Sequence, residues 1–185
     1  MSFRERHRQA LKSIEFDEER FVPSVGPTDA DVVLVGEAPG ENEVEEREPF
    51  VGRAGKVLDS TLRDIGVERS DVYITNLVKV RPPDNRDPKR SEIDTWSPVL
   101  ERELDSVSPD RLVPLGNFAS RELLDTSKGI SSIHGREFER EGRSIVPAFH
   151  PAATLYDPSK RTEFEDDLRK AFGRRDSGQT RLDQL

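Results

Sequence analysis

Cysteine is absent from all 185 residues, and its absence removes disulfides, thiolate metal sites and cysteine nucleophiles together. Also missing are a GxxxxGK[ST] phosphate loop and a GxGxxG turn after the first apolar run. Nucleoside-triphosphate hydrolysis and dinucleotide binding are therefore unsupported. The three histidines, His7, His134 and His150, are too scattered for a zinc site without thiolates. No apolar run approaches the ~18 residues of a membrane span, and the start, MSFRERHRQALKS, lacks the apolar core of a secretory signal. The expectation is a cytoplasmic protein. A formal net charge of −8 argues against a global attraction to nucleic acid, because phosphate contacts need Lys and Arg. Local basic patches stay compatible with it. Lysine is scarce too: most of the 29 basic residues are arginine. Acidity of this kind suits a high-salt cytoplasm, an expectation that melting temperature against KCl would test.

What is present is organised around Gly36 to Gly55, GEAPGENEVEEREPFVGRAG. An unbroken apolar run, Asp31 to Val35, precedes it and fits a strand buried on both faces. A long glycine-rich loop follows, carrying several glutamates and Phe50 between Pro49 and Val51. Gly52 and Gly55 then lead into a helix over 56–65 that Gly66 stops. A second strand is expected over 71–78, running into a proline-broken loop, Lys79 to Pro88. Ser91 is expected to cap a helix over 92–105, with Ile93, Trp96, Leu100 and Leu104 on its apolar face. A third strand covers 111–116, and Asn117 caps the helix that follows to Leu124. After an irregular Ser- and Gly-rich segment, a fourth strand covers 144–149, and a last helix covers 160–172. A weak helix is expected in the first 20 residues, and 21–28 is a connector.

Strands alternating with helices predict an α/β fold: three layers, α/β/α, around a central, four-stranded, mostly parallel sheet. Residues 1–173 form the domain, and 174–185 are a polar, flexible tail. Glu37, Asn76, the Gly116-Asn117 turn and His150 each end a different predicted strand, and such ends line one crevice in open α/β sheets.

An Asn side chain, with one acceptor and two donors, matches the edge of a nucleobase. Phe50, fixed by its neighbours, suits a stacking platform, and core filler is the competing reading. A His can stabilise charge developing on a leaving group, and a carboxylate can orient water or favour a cationic sugar. Such a set suits cleavage between a base and a sugar. Asn76 can equally be a turn residue, most of the loop glutamates are solvated charges, and Trp96 is core. Arg81, Arg86, Lys89 and Arg90 either balance nearby acids or position phosphates.

In their order and spacing, GEAPG (36–40) with Glu43, PFVGRAG (49–55), TN followed by K-x-RPP-x-NR-x-P (75–88), Leu-Gly (115–116) and HPA (150–152) resemble the family-four uracil-DNA glycosylases of bacteria and archaea. The resemblance runs from about Ala30 to Pro158. It implies a monofunctional glycosylase that releases uracil from DNA and leaves an abasic site, with no cofactor in the hydrolysis. Phe50 would stack on the extruded uracil, Asn76 would read its polar edge, and His150 would stabilise the departing anion. Glu37 and Glu43 are the acidic candidates, and Gly36 and Ala38 would lie against the base. Arg81, Asn85, Arg86, Gly116, Asn117, Pro151, Ala152 and Leu155 are the expected DNA contacts, with Leu155 or Tyr156 propping the duplex open. The expected partner is uracil-containing DNA, bound by a monomer.

The chain departs from that family where its four iron–sulfur cysteines would stand. Val80 occupies the place before RPP, Trp96 falls at or beside the place in the next helix, and the N-terminal pair is gone. A four-thiolate cluster is thereby excluded, and Trp96 with Val80 is expected to fill the volume. Val44 replaces an acid and Arg47 a glycine. Two other readings remain: a non-catalytic uracil- or DNA-binding homologue, and a hydrolase of free nucleosides.

Overall fold

The computed structural model describes residues 1–173 and shows five strands in one sheet, ordered β2-β1-β3-β5-β4. β1 is Val32–Gly36, β2 Tyr73–Asn76, β3 Arg111–Pro114, β4 Phe138–Arg140 and β5 Arg143–Ile145. Helices α1 (Phe3–Arg6) and α2 (Arg8–Leu11) precede the sheet, and α3 (Glu41–Glu46) and α4 (Arg53–Asp64) link β1 to β2. α5 (Arg90–Val107) leads to β3, α6 (Gly116–Leu124) and α7 (Ile130–Ile133) to β4, and α8 (Ala153–Tyr156) and α9 (Lys160–Phe172) follow β5.

Alternation along β1 builds two cores, since successive side chains leave a strand on opposite faces. Val33 and Val35 join Tyr73, Leu112, Trp96 and Leu100 beneath α5 and the N-terminal segment. Val32 and Leu34 join Leu58, Leu62, Phe164 and Leu168 beneath α4 and α9. Helices thus cover both faces, as the alternating pattern predicts. The connector between α2 and β1 is not idle: Val25 and Ile74 exchange backbone hydrogen bonds of 2.8 and 3.1 Å, shielding the outer edge of β2.

β1 pairs in parallel with both β2 and β3, and β3 pairs in parallel with β5. From β1 the chain first moves outward to β2, then returns across β1 to β3. That reversal opens a crevice at the carboxyl ends of β1 and β3, where open α/β sheets hold ligands.

The sheet has five strands, not the expected four. The addition is β4, antiparallel to β5, joined to it by Glu141 and Gly142, both at positive φ (53° and 76°). This two-residue hairpin turn matches the right-handed twist of its strands. β4 is short and polar, so it carried no apolar signal. The predicted fourth strand is regular only over Arg143–Ile145, because Pro147 has no N–H for the ladder; Val146 and Ala148 still donate to Leu112 and Pro114.

Three further expectations are corrected. The long loop after β1 contains α3, closed at Arg47 by a left-handed residue (φ 57°). A glycine is natural there, and Arg47 instead donates to the Glu18 and Phe21 carbonyls. α5 starts at Arg90 and is capped not by Ser91 but by Glu92, whose carboxylate accepts from the Lys89 N–H at 2.7 Å. Asn117 does not cap α6, which has Leu115 at its N-cap; its Oδ1 accepts from the Ile130 N–H at 2.8 Å, at the start of α7. The expected tail, 174–185, lies outside the described residues.

Candidate active site

Four segments converge on a cavity of about 290 Å³ at the carboxyl edge of the sheet. Ala38, Gly40 and Glu43 come from the segment after β1, Phe50 from the loop before α4, Asn76 and Asn85 from β2 and its loop, and His150 and Ala152 from the segment after β5.

Gly36 is required where it stands: a Cβ there would lie 2.2 Å from Asn76 Oδ1 and 2.7 Å from the Phe50 ring. β1 therefore ends in a residue small enough to let these two side chains meet. Asn76 is 5% exposed, and no described residue hydrogen-bonds its side-chain amide. Its donors and acceptor are thus left to the cavity, and the arrangement suits a ligand that supplies the partners.

Phe50 is 6% exposed and belongs to the core cluster of α4 and α9, yet it also lines the cavity. The residue is thus core and cavity wall at once. Its ring centroid is 5.6 Å from that of His150, with the planes tilted by 34°.

His150 follows a strand end that Gly116 presses against; a Cβ on Gly116 (φ 87°) would meet His150 Cβ at 3.0 Å. The Ala152 N–H donates to His150 Nδ1 at 3.1 Å. In the neutral ring the proton then sits on Nε2, leaving a donor free for the cavity. Burial lowers the pKa of His150 to about 4, and the charge of Glu43 only partly offsets this. The imidazole is neutral at physiological pH.

Glu43 turns both carboxylate oxygens to backbone: Oε2 accepts from Gly40 N–H (3.1 Å), and Oε1 from Val51 and Gly52 N–H (3.2 and 3.1 Å). Glu37 does not line the cavity and makes no side-chain hydrogen bond among the described residues. Burial, assisted by the charge of Asp87 in the proline-rich loop, raises its pKa to about 7.

The expected DNA contacts divide. Asn85 and Ala152 line the cavity, and Pro151 is buried between His150 and Ala152. Arg81 lines a neighbouring groove and lies 3.7 Å from Glu41. Arg86 is engaged by Glu92 through two 2.8 Å bonds, which pull the Glu92 pKa down to about 2. Asn117 is exposed while its side chain serves α7. Leu155 packs against the core, whereas Tyr156 is 88% exposed.

Sequence reasoning missed the support behind His150. The Phe149 N–H donates to Asp167 Oδ2 (3.4 Å), and His134 Nδ1 lies 3.0 Å from Asp167 Oδ1. Asp167 is 1% exposed on the face of α9 that carries Phe164, Leu168 and Ala171. An acid inside that apolar stripe was the available signal.

The places implied for cluster cysteines do not fit a metal group. Trp96 is buried, with its rings 5.2 Å from Phe16 and 6.0 Å from Phe21, and Val80 packs beside them. Among the described residues no three His, Asp or Glu are grouped to hold an ion.

Residues 23–172 match the Uracil DNA glycosylase superfamily. The chain is 45% identical to a "Type-4 uracil-DNA glycosylase" of Archaeoglobus fulgidus over 158 residues, 81% of this chain and 79% of that protein. It is 42% identical to the protein of that name from Sulfurisphaera tokodaii, covering 80% and 72% of the two chains. With that of Thermotoga maritima it shares 39% identity, over 79% and 78%. Extending over most of the chain, and agreeing with the crevice at the strand ends, these matches make it a member of the uracil DNA glycosylase superfamily.

Proposed function

We propose that this chain hydrolyses the N-glycosidic bond of deoxyuridine in DNA, releasing uracil and leaving an abasic site. The observation that carries this reading is the Asn76 amide, bonded by no described residue, beside an aromatic ring and facing a cavity that also holds a neutral histidine.

An extruded uracil would stack on Phe50, and Asn76 would donate to its O4 and accept from its N3–H. Cytosine presents the opposite pattern on both atoms, which leaves donor against donor and acceptor against acceptor; mismatches of this kind reject by about 10⁴-fold or more. Extrusion costs a few kcal/mol, less from a mismatch. As the C1′–N1 bond breaks, its electron pair passes to the uracil ring, and His150 Nε2–H donates to the carbonyl oxygen where charge collects. Water adds to C1′ and gives its proton to ionised Glu37, whose charge also favours the cationic sugar. The uracil anion is protonated on release. No step requires a cofactor, and no lysine stands in the cavity to act as a Schiff-base nucleophile.

Tyr156, held out from α8, suits a wedge in the duplex better than Leu155. Arg81 and the exposed Lys89 suit phosphates flanking the lesion, and the chain would work as a monomer. In molar salt the Debye length is only ~3 Å, so binding would lean on stacking and close hydrogen bonds.

The test is gel-resolved cleavage of a labelled uracil-containing oligonucleotide after alkali, in low and molar KCl, with free deoxyuridine as a second substrate. Cleavage of the oligonucleotide alone supports the reading. Uracil-dependent binding without cleavage would leave a non-catalytic homologue, and cleavage of free deoxyuridine would point to nucleoside hydrolysis.

A further inference from the structure

Phe50 sits at φ 54°, a left-handed conformation that costs a residue with a Cβ about 1–2 kcal/mol. Burial of the Phe50 ring offsets part of that cost, and the neighbouring backbone is also held from outside. Two charged side chains do so. On the C-terminal side, Glu43 Oε1 accepts from the N–H groups of Val51 and Gly52, while Oε2 accepts from Gly40. On the N-terminal side, Arg69 Nη2 donates to the Pro49 carbonyl at 2.6 Å, and Arg69 is itself fixed by Asp59 (2.7 Å) and Glu48 (3.2 Å). α4 closes the gap beneath: a Cβ on Gly55 would fall 1.8 Å from the Phe50 carbonyl oxygen.

Building on the base-stacking role of Phe50 proposed above, we infer that Glu43 and Arg69 are positioning residues that clamp the Phe50 segment. Although Glu43 borders the cavity, it acts through these backbone bonds and not as an acid or base. A carboxylate that accepts three N–H bonds has most of its lone-pair capacity committed, whereas Glu37 has none of its side chain committed among the described residues. The two acids after β1 thereby take different tasks: Glu37 serves the reaction, and Glu43 fixes the surface on which the base is stacked.

Glutamine separates the two roles. Glu43→Gln keeps an oxygen for Val51 and Gly52 and loses only the bond from Gly40, which lies where water reaches it. Glu43→Ala loses all three. Stacking on Phe50 is worth about 1–3 kcal/mol, roughly 5- to 150-fold. Glu43→Ala should therefore lower kcat/KM about 10- to 100-fold, mainly through KM, and Glu43→Gln by less than about fivefold. The pH profile of Glu43→Gln should keep the wild-type limb. In a Phe50→Ala background, Glu43→Ala should cost less than about threefold more, because the clamped ring is already gone. Arg69→Met should raise KM in the same way.

A Glu43→Gln variant as damaged as Glu43→Ala, or one that loses the pH limb, would return Glu43 to acid–base work and overturn the inference. So would a full Glu43→Ala penalty without Phe50. Amide hydrogen exchange reads the clamp without activity. Val51 and Gly52 should be protected in the wild type and in Glu43→Gln, and exposed to exchange in Glu43→Ala. Rapid exchange at both amides of the wild type sinks the clamp even if uracil is cleaved. Protection with no cleavage anywhere upholds the clamp and rejects only the glycosylase reading.

Discussion

Thr75 and Asn76 are neighbours on β2, and because strand side chains alternate they open onto opposite faces of the sheet. Thr75 enters a buried polar network. Its hydroxyl accepts from Lys79 Nζ at 2.7 Å and lies 2.7 Å from Ser24 Oγ. The carboxylate of Glu103, fully buried on α5, is met by Lys79, Ser24, Thr75 and Tyr73. Burial lowers the pKa of Lys79, a shift the Glu103 carboxylate opposes, and burial raises that of Tyr73. On the other face, Asn76 and His150 Nε2 have no side-chain partner among the described residues, and neither does Glu37, just past the end of β1. Both faces bury polar groups. The face that satisfies them stabilises the fold, and the face that does not is where a ligand belongs.

The largest effect should come from the satisfied face. Glu103→Gln leaves the Lys79 ammonium without its counter-charge at 1% exposure, and breaking a buried pair in this way costs about 3–5 kcal/mol. Urea unfolding should show that loss, while cleavage per folded molecule at low temperature stays within a few-fold of wild type. A loss under about 1 kcal/mol would end the distinction between the faces.

His150→Ala should show the inverse. Removing one donor to a developing anion costs about 10²–10³ in kcat, or 2.7–4 kcal/mol of transition-state stabilisation, and stability should change little. Asn76→Ala sharpens the contrast further, since deleting an amide that no described residue bonds should leave unfolding free energy little changed while base discrimination is lost. The readout for both is single-turnover cleavage beside urea unfolding. A third variant, Phe50→Ala, should raise KM by the stacking energy of about 1–3 kcal/mol.

Much of this comparison is legible in the sequence. The buried run of β1 and the apolar faces of α4 and α5 follow from residue type and spacing, and residue type at a strand end made Asn76 and His150 candidates. Trp96 in the core was equally readable, because its helical neighbours share its face. What escaped depends on partners distant in sequence. Glu103 reads as one more charge on a charged helix until Ser24 and Tyr73 are brought to it. The backbone role of Glu43 needs the φ of Phe50, and the support of Asp167 needs the Phe149 N–H. Leu155 and Tyr156 could not be separated, since a four-residue helix decides which of them faces the core. β4 stayed hidden because a three-residue polar strand has no periodicity to read.

The smallest effect is the most diagnostic, because Glu37 and His150 shift in opposite senses. Glu37 has a folded pKa of about 7 against an unfolded value near 4.5, so between those values the folded state binds the extra proton. Its linkage makes stability fall as pH rises from about 4.5 to 7. His150, lowered to about 4 from 6.5, does the reverse: the unfolded state binds the extra proton, and stability falls as pH drops from about 6.5 to 4. Glu37→Gln should remove the first slope and leave the second, gaining on the order of 1–2 kcal/mol above pH 7 after allowance for partial exposure. The same substitution should abolish an activity limb that rises through about pH 7, since only ionised Glu37 can take the proton of water. Urea unfolding and kcat/KM across pH 4–9 test both at once. If the limb stays at pH 7 in Glu37→Gln, another group supplies the base, and the unpaired carboxylate beside the crevice has no part in the reaction.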